Sequence, residues 1–172
     1  MDNEKYVESL LAKSNYPSFH ATDFAKTYIN KLVYNITMYV NTNITVGDIE
    51  YVHDYSIKNE LSQEITGIPG AYSAIDGSEE ALATFAEEYS KLGITDFGML
   101  AKEALLDFLN LSNGLFVVLL SKLNICELSL NVPVQSNNKA LGEAEDTIII
   151  IPINFPYGTI RFILGEFKNG IK

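Results

Sequence analysis

The chain has 172 residues, 47% of them hydrophobic, with 10 tyrosines and 9 phenylalanines, enough apolar surface for one ordinary core and hence a single domain over 1–172. Twenty-two acidic residues against 12 basic ones give a net charge of −10, so neither nucleic acid nor an anionic membrane surface is expected as a partner. A lone cysteine, Cys126, excludes an internal disulfide, the opening MDNEKYVESLL lacks a secretory pattern, and the apolar runs GLFVVLL and TIIIIPI are too short to span a bilayer, so a cytoplasmic protein is expected.

In chain order, a short amphipathic helix is predicted over residues 3–13, ended by Ser14-Asn15-Tyr16-Pro17, so that residues 1–17 form a helical extension. A stronger helix is predicted from Thr22 to Val40, with Phe24, Tyr28, Leu32 and Ile36 on one stripe and Asp23 at its positive end. Residues 44–57 and 61–75 are β-branched and aromatic, and Gly67, Pro69 and Gly70 punctuate the second stretch as a turn, which together predict an antiparallel meander. Gly67-Ile68-Pro69-Gly70 is too short and proline-bearing for a phosphate cradle.

Ser78 followed by Glu79 and Glu80 predicts a helix that stops at Gly93. Thr95 or Asp96 is then expected to cap a long apolar helix running to Lys122. After it, LNICELSLNVPV predicts a strand in which Cys126 shares the buried phase of Leu128, Leu130 and Val132, a small hydrophobe and not a nucleophile. The stretch SNNKALGEAED is expected to be a polar loop, followed by strands TIIIIPINF and GTIRFILGEF joined at Pro156-Tyr157-Gly158. Helix then strands therefore occurs twice, with an extra helix between, which suggests an internal duplication in an α+β fold with helices packed on an antiparallel sheet.

The long helix carries the chemistry. At about 100° per residue, Glu103, Asp107 and Asn110 fall within about 60° of one another, opposite Ala101, Leu105, Phe108, Leu109 and Phe116. An acid one turn from a carboxamide can fix a cation and orient a water. Met99, Leu100, Leu106 and Leu111 border this strip as an apolar rim, and Gly114 lies on the same face. Acid and amide at this spacing also suit a merely solvated surface, Gly114 equally suits close helix packing, and Pro133 suits an interruption of ladder pairing. His20 and His53 have no ligand-spaced companions, so no metal site is expected.

Taken together, Glu103, Asp107, Asn110 and Pro133 resemble the signature of the CheC/CheX/FliY family of chemotaxis phosphatases, and the single-site CheX branch most: an Asp or Ser, three residues, a Glu, two residues, an Asn, and a Pro a little over twenty residues on. The similarity extends to Gly114, to LSQEITGIPGAYSAI as a first hairpin, to SEEALATFAEEYSKLG as an intermediate helix and to TIIIIPINFPYGTIRFILGE as a closing hairpin, so the core spans residues 18–168. Two positions depart from the pattern: Asp107 stands where the family has Glu, reaching about 1.5 Å less, and Glu103 where it has Asp or Ser.

The resemblance implies action on a phosphorylated CheY-type response regulator whose phospho-aspartate sits beside magnesium and a lysine. Asn110 would orient the attacking water, Asp107 would pair with that lysine, and Glu103, Gly114 and the rim Met99, Leu100, Leu106 and Leu111 would bind the partner. No cofactor of the chain's own is implied, and a homodimer is. The alternative is a non-catalytic adaptor that binds a regulator or a chemotaxis or flagellar component through the same face. An independent small-molecule phosphatase is disfavoured, because neither a nucleophile constellation nor a metal cluster is written into the chain.

Overall fold

A computed structural model describes residues 2–171. Four helices and eight strands follow in the order α1 (Asn3–Ala12), α2 (Asp23–Tyr39), β1 (Thr45–Val46), β2 (Glu50–Val52), β3 (Tyr55–Thr66), β4 (Gly70–Asp76), α3 (Glu79–Ser90), α4 (Met99–Lys122), β5 (Ser129–Leu130), β6 (Val134–Leu141), β7 (Thr147–Phe155) and β8 (Gly158–Phe167). Side-chain oxygens of Asp2, Thr22 and Ser78 cap α1, α2 and α3 by accepting from backbone N–H groups of the first turn. The expected cap of α4 by Thr95 or Asp96 is not made: Gly98 is the N-cap and no side chain bonds there.

All strands join one antiparallel sheet in the order β1-β7-β8-β4-β3-β5, with β2 also on β7 and β6 also on β3. This is an α+β fold whose two halves exchange strands. Each half is one helix followed by four strands; the first two strands of the first half, β1 and β2, pair with β7 of the second, and the first two of the second, β5 and β6, pair with β3 of the first. The fourth strands, β4 and β8, meet at the centre. Setting Met99 on Asp23 shifts α4 onto α2 by 76 residues, and the buried positions 101, 104, 105, 108, 109, 112 and 113 then fall on 25, 28, 29, 32, 33, 36 and 37, all buried. Under that shift Glu103, Asp107 and Asn110 correspond to Thr27, Lys31 and Tyr34, so only the second half bears the acid-and-amide strip.

The exchange corrects two expectations. Residues 44–57 do not form a strand of a local meander: β1 and β2 cross to the far edge and pair with β7, and only β3 and β4 form the expected hairpin around Gly67. SNNKALGEAED is not all loop, because its first half lies in β6, an edge strand with little burial held by main-chain pairing along β3. LNICELSLNVPV contributes Ser129–Leu130 as a two-residue strand and Val134 as the start of β6; Cys126 lies outside both, half-buried, and Val132 is 82% exposed.

One face of the sheet takes the helices. Leu61 and Ile65 of β3, Ala71 and Ile75 of β4, Ile149, Ile151 and Ile153 of β7, and Ile160, Phe162 and Leu164 of β8 pack in one cluster with all four helices, including Val7, Leu10 and Leu11 of α1. The alternate residues Ile148 and Ile150 of β7, with Ile57, Tyr72, Ala74, Leu141 and Ile163, form a second cluster on the opposite face. An isoleucine run with both faces covered needs no polar alternation, which is why TIIIIPINF reads as continuous apolar sequence. Among the described residues α4 is the one helix long and apolar enough to cross a membrane, and its apolar face is the one packed into this core.

Candidate functional site

Two aromatic anchors hold α4 at the rotation that exposes its polar strip. Phe108 packs edge-on against Phe85 of α3 at 5.0 Å and against Phe162 of β8 at 6.4 Å, while Phe116 packs against Phe24 and Tyr28 of α2, each at 5.3 Å. Pairs of this kind contribute about 0.5–1.5 kcal/mol each beyond their buried area. With Ala101, Leu105, Phe108, Leu109 and Phe116 buried, Glu103, Asp107 and Asn110 emerge together and exposed.

The strip has two flanks. On one, Glu103, Asp107, Leu100 and Leu111 line a groove of about 620 Å³ closed by Tyr39 of α2 and by Tyr89, Ser90 and Leu92 at the end of α3. Tyr89 donates its hydroxyl to Oδ2 of Asp107 at 2.7 Å. Burial, and then the carboxylate it serves, raise the Tyr89 phenol well above its usual range, so it stays a donor. On the other flank Asn110 leans away from α3, and its Oδ1 accepts from Nε2 of Gln63 on β3 at 2.7 Å. The acid and the amide thus share one exposed strip and are tethered from opposite sides.

Gln63 belongs to a polar thread through the apolar interior. Its Nε2 also donates to the main-chain carbonyl of Asn131 at 2.8 Å, and its Oε1 accepts from Nδ2 of Asn113 at 2.9 Å. Oδ1 of Asn113 accepts from the Ser73 hydroxyl at 3.2 Å, and Ser73 meets the Tyr28 hydroxyl at 2.7 Å. Gln63 and Ser73 are cross-strand partners on the helix-facing side of β3 and β4. All four of these side chains are buried, and burial pushes the Tyr28 phenol up to about 12. Polar groups in such a place are costly unless bonded, and here each is.

Of the rim residues, Met99 is 74% exposed and Leu100 46%, whereas Leu106 and Leu111 are half-buried, Leu106 against the core. Pro133 stands between β5 and β6, two residues past Asn131, in the same short segment whose main-chain carbonyl takes the Gln63 amide. Gly114 does not serve close packing within the chain, since a Cβ there would meet only Leu130 Cδ1, at 3.9 Å. Among the described residues no group of three or more His, Cys, Asp or Glu is gathered to hold a metal.

Sequence reasoning missed Tyr89, Gln63, Asn113 and Asn131. Two left a signal: Gln63 interrupts the buried phase of Leu61 and Ile65, and Asn113 interrupts that of Leu109 and Phe116. A polar residue on the apolar phase marks either an error or a network.

No protein-family model and no curated protein matches the sequence. Solved structures do match. A CheC-like superfamily protein from Shewanella sp. PV-4 superposes with a TM-score of 0.72 at 16% identity, covering 86% of this chain and 99% of its own. Chemotaxis protein CheX from Vibrio vulnificus gives 0.70 at 12% identity over 84% of this chain and 99% of its own. The CheX–CheY–BeF3–Mg complex from Borrelia burgdorferi gives 0.58 at 15% identity, covering 86% and 99%. At these identities the shared property is the architecture, and the chain has the fold of the CheC/CheX chemotaxis proteins.

Proposed function

We propose that this protein accelerates the dephosphorylation of a phosphorylated CheY-type response regulator in the cytoplasm. The observation that carries the reading is the exposure of Asn110 and Asp107 on one strip of α4, with the Asn110 amide held from behind by Gln63. Its setting is a fold whose relatives include a CheX solved in complex with CheY. The regulator brings its own magnesium and lysine, so the chain has to supply positioning alone, and a side chain set at the right place is worth orders of magnitude in rate. Asn110 orients the water for in-line attack on phosphorus. Asp107 pairs with the regulator's lysine, Glu103 guides the approach, and Met99 and Leu100 give apolar contact at the end of the strip.

A second reading, an adaptor that binds a regulator without catalysis, draws on the Asp107 carboxylate, which is shorter than a glutamate and already engaged by Tyr89. One experiment separates the two. A CheY-type regulator is phosphorylated in magnesium buffer, and phosphate loss is followed with the parent protein and with Asn110→Ala. The expected outcome is acceleration by the parent and at least a hundredfold less (roughly) by the variant, with binding retained. Binding by the parent without acceleration establishes the adaptor.

A further inference from the structure

We propose that Gln63 is a positioning residue that sets which prong of the Asn110 carboxamide faces the partner, with the main-chain carbonyl of Asn131 as the fixed point. The inference rests on the reading of Asn110 as the water-orienting group. A carbonyl oxygen can only accept, so the side of Gln63 that meets Asn131 at 2.8 Å must be its NH2 group. That group has a second hydrogen, and it goes to Asn110 at 2.7 Å, so the atom Asn110 turns inward must be Oδ1. The other end of Gln63 is then an acceptor, which fixes Asn113 as the donor at 2.9 Å, its own oxygen facing Ser73 at 3.2 Å. One backbone carbonyl thereby assigns three amides in series.

The consequence lies at the surface. Asn110 is left with Nδ2 on its exposed side, a donor that grips a water through one lone pair of the water oxygen and leaves the other free to attack. Turned over, the same amide would present an acceptor and hold the water by one of its hydrogens, which sets its lone pairs in a different direction. Gln63 is 0% exposed, so its own amide is sheltered from solvent.

The test is Gln63→Glu, which keeps the shape of the side chain and removes its ability to donate. Asn110 then has to turn Nδ2 inward. Turnover of the phosphorylated regulator is expected to fall about tenfold or more, with the dissociation constant for the regulator within about twofold of the parent. As the pH is lowered the introduced carboxyl gains one proton, for which the Asn131 carbonyl and Asn110 Oδ1 compete, so activity should return in part and stay below the parent's, a pH-dependent recovery that a mere loss of packing would not produce. Gln63→Met, which leaves the Asn110 amide free to rotate, should fall between the two. A folded Gln63→Glu protein with parental turnover overturns the inference while leaving the proposed function standing.

Should that variant not fold, or should the parent prove inactive on any regulator, side-chain amide contacts in the unaltered protein decide the matter by nuclear magnetic resonance. With Oδ1 of Asn110 turned toward Gln63, cross-relaxation between the two NH2 groups is expected to be weak. A strong cross-peak between them, the mark of Nδ2 turned inward, would overturn the clamp.

Discussion

The carboxylate of Asp107 is not idle in the unbound chain, because Tyr89 holds its Oδ2 at 2.7 Å. Any lysine brought by a partner competes with that phenol, and an aspartate has little spare length with which to serve both. A glutamate reaches about 1.5 Å further and would clear the hydroxyl. Asp107→Glu and Tyr89→Phe are therefore expected to act in the same direction, each tightening regulator binding by several-fold, on the order of 1 kcal/mol for one charge-assisted hydrogen bond released. Titration of labelled regulator checks this, and weaker binding by Tyr89→Phe would make the phenol an organiser of the acid instead of a competitor. The strip itself was legible in the sequence, since 103, 107 and 110 share a helical face and the apolar residues around them fix its orientation. Which neighbour takes each side chain was not, because Gln63 lies 47 residues from Asn110 and Tyr89 lies 18 from Asp107, and helical phase says nothing about either distance.

At the level of the element, Gly114 is the exception in α4. A glycine inside a helix is disfavoured by about 1 kcal/mol against alanine, and the chain's own packing gives no return for it, the nearest atom to a Cβ being Leu130 Cδ1 at 3.9 Å. Gly114→Ala is expected to raise the melting temperature by about 2–4 °C and to weaken regulator binding where the partner's backbone comes close, which calorimetry and the binding titration measure on one sample. A stabilised variant with unchanged affinity would place Gly114 outside the interface. The helices and the two hairpins around Gly67 and Pro156-Tyr157 were legible because caps, apolar stripes and turn residues are local signals. The pairing of β1 and β2 and the presence of β6 were not, since each is defined by a partner in the other half of the chain. β6 is the clearest case: VQSNNKAL has the composition of a loop and becomes a strand only because β3, with register Ser62 to Val134 through Tyr55 to Leu141, supplies a template.

Across the whole molecule, two buried carboxyls on the sheet respond to pH in opposite senses. Glu60 loses solvent, which raises its pKa, but hydroxyls of Ser136, Ser62 and Tyr72 donate to it and Lys139 lies near, so the net shift is below its usual 4.5. Glu166, 4% exposed beneath the start of α2, is raised by burial, and the Thr22 hydroxyl at 3.2 Å only partly offsets this. A lowered folded-state pKa stabilises above the unfolded value, and that contribution is lost as pH falls through the folded one; a raised pKa contributes below the unfolded value and loses it as pH rises. Ionised Glu60 thus supports the fold at neutral pH, while ionised Glu166 opposes it. Glu60→Gln, which leaves buried hydroxyls without their charged acceptor, is expected to destabilise by about 1–3 kcal/mol at pH 7, with the penalty shrinking as the pH drops below 4.5. Glu166→Gln keeps an acceptor for Thr22 and removes the buried charge, so it is expected to raise the melting temperature at pH 7 and to change it little at pH 4. Thermal melts of both variants and the parent from about pH 2.5 to 7, a range that passes below the Glu60 window, check the pair, and a neutral-pH destabilisation by Glu166→Gln would mean that the positive end of α2 outweighs the burial of the charge.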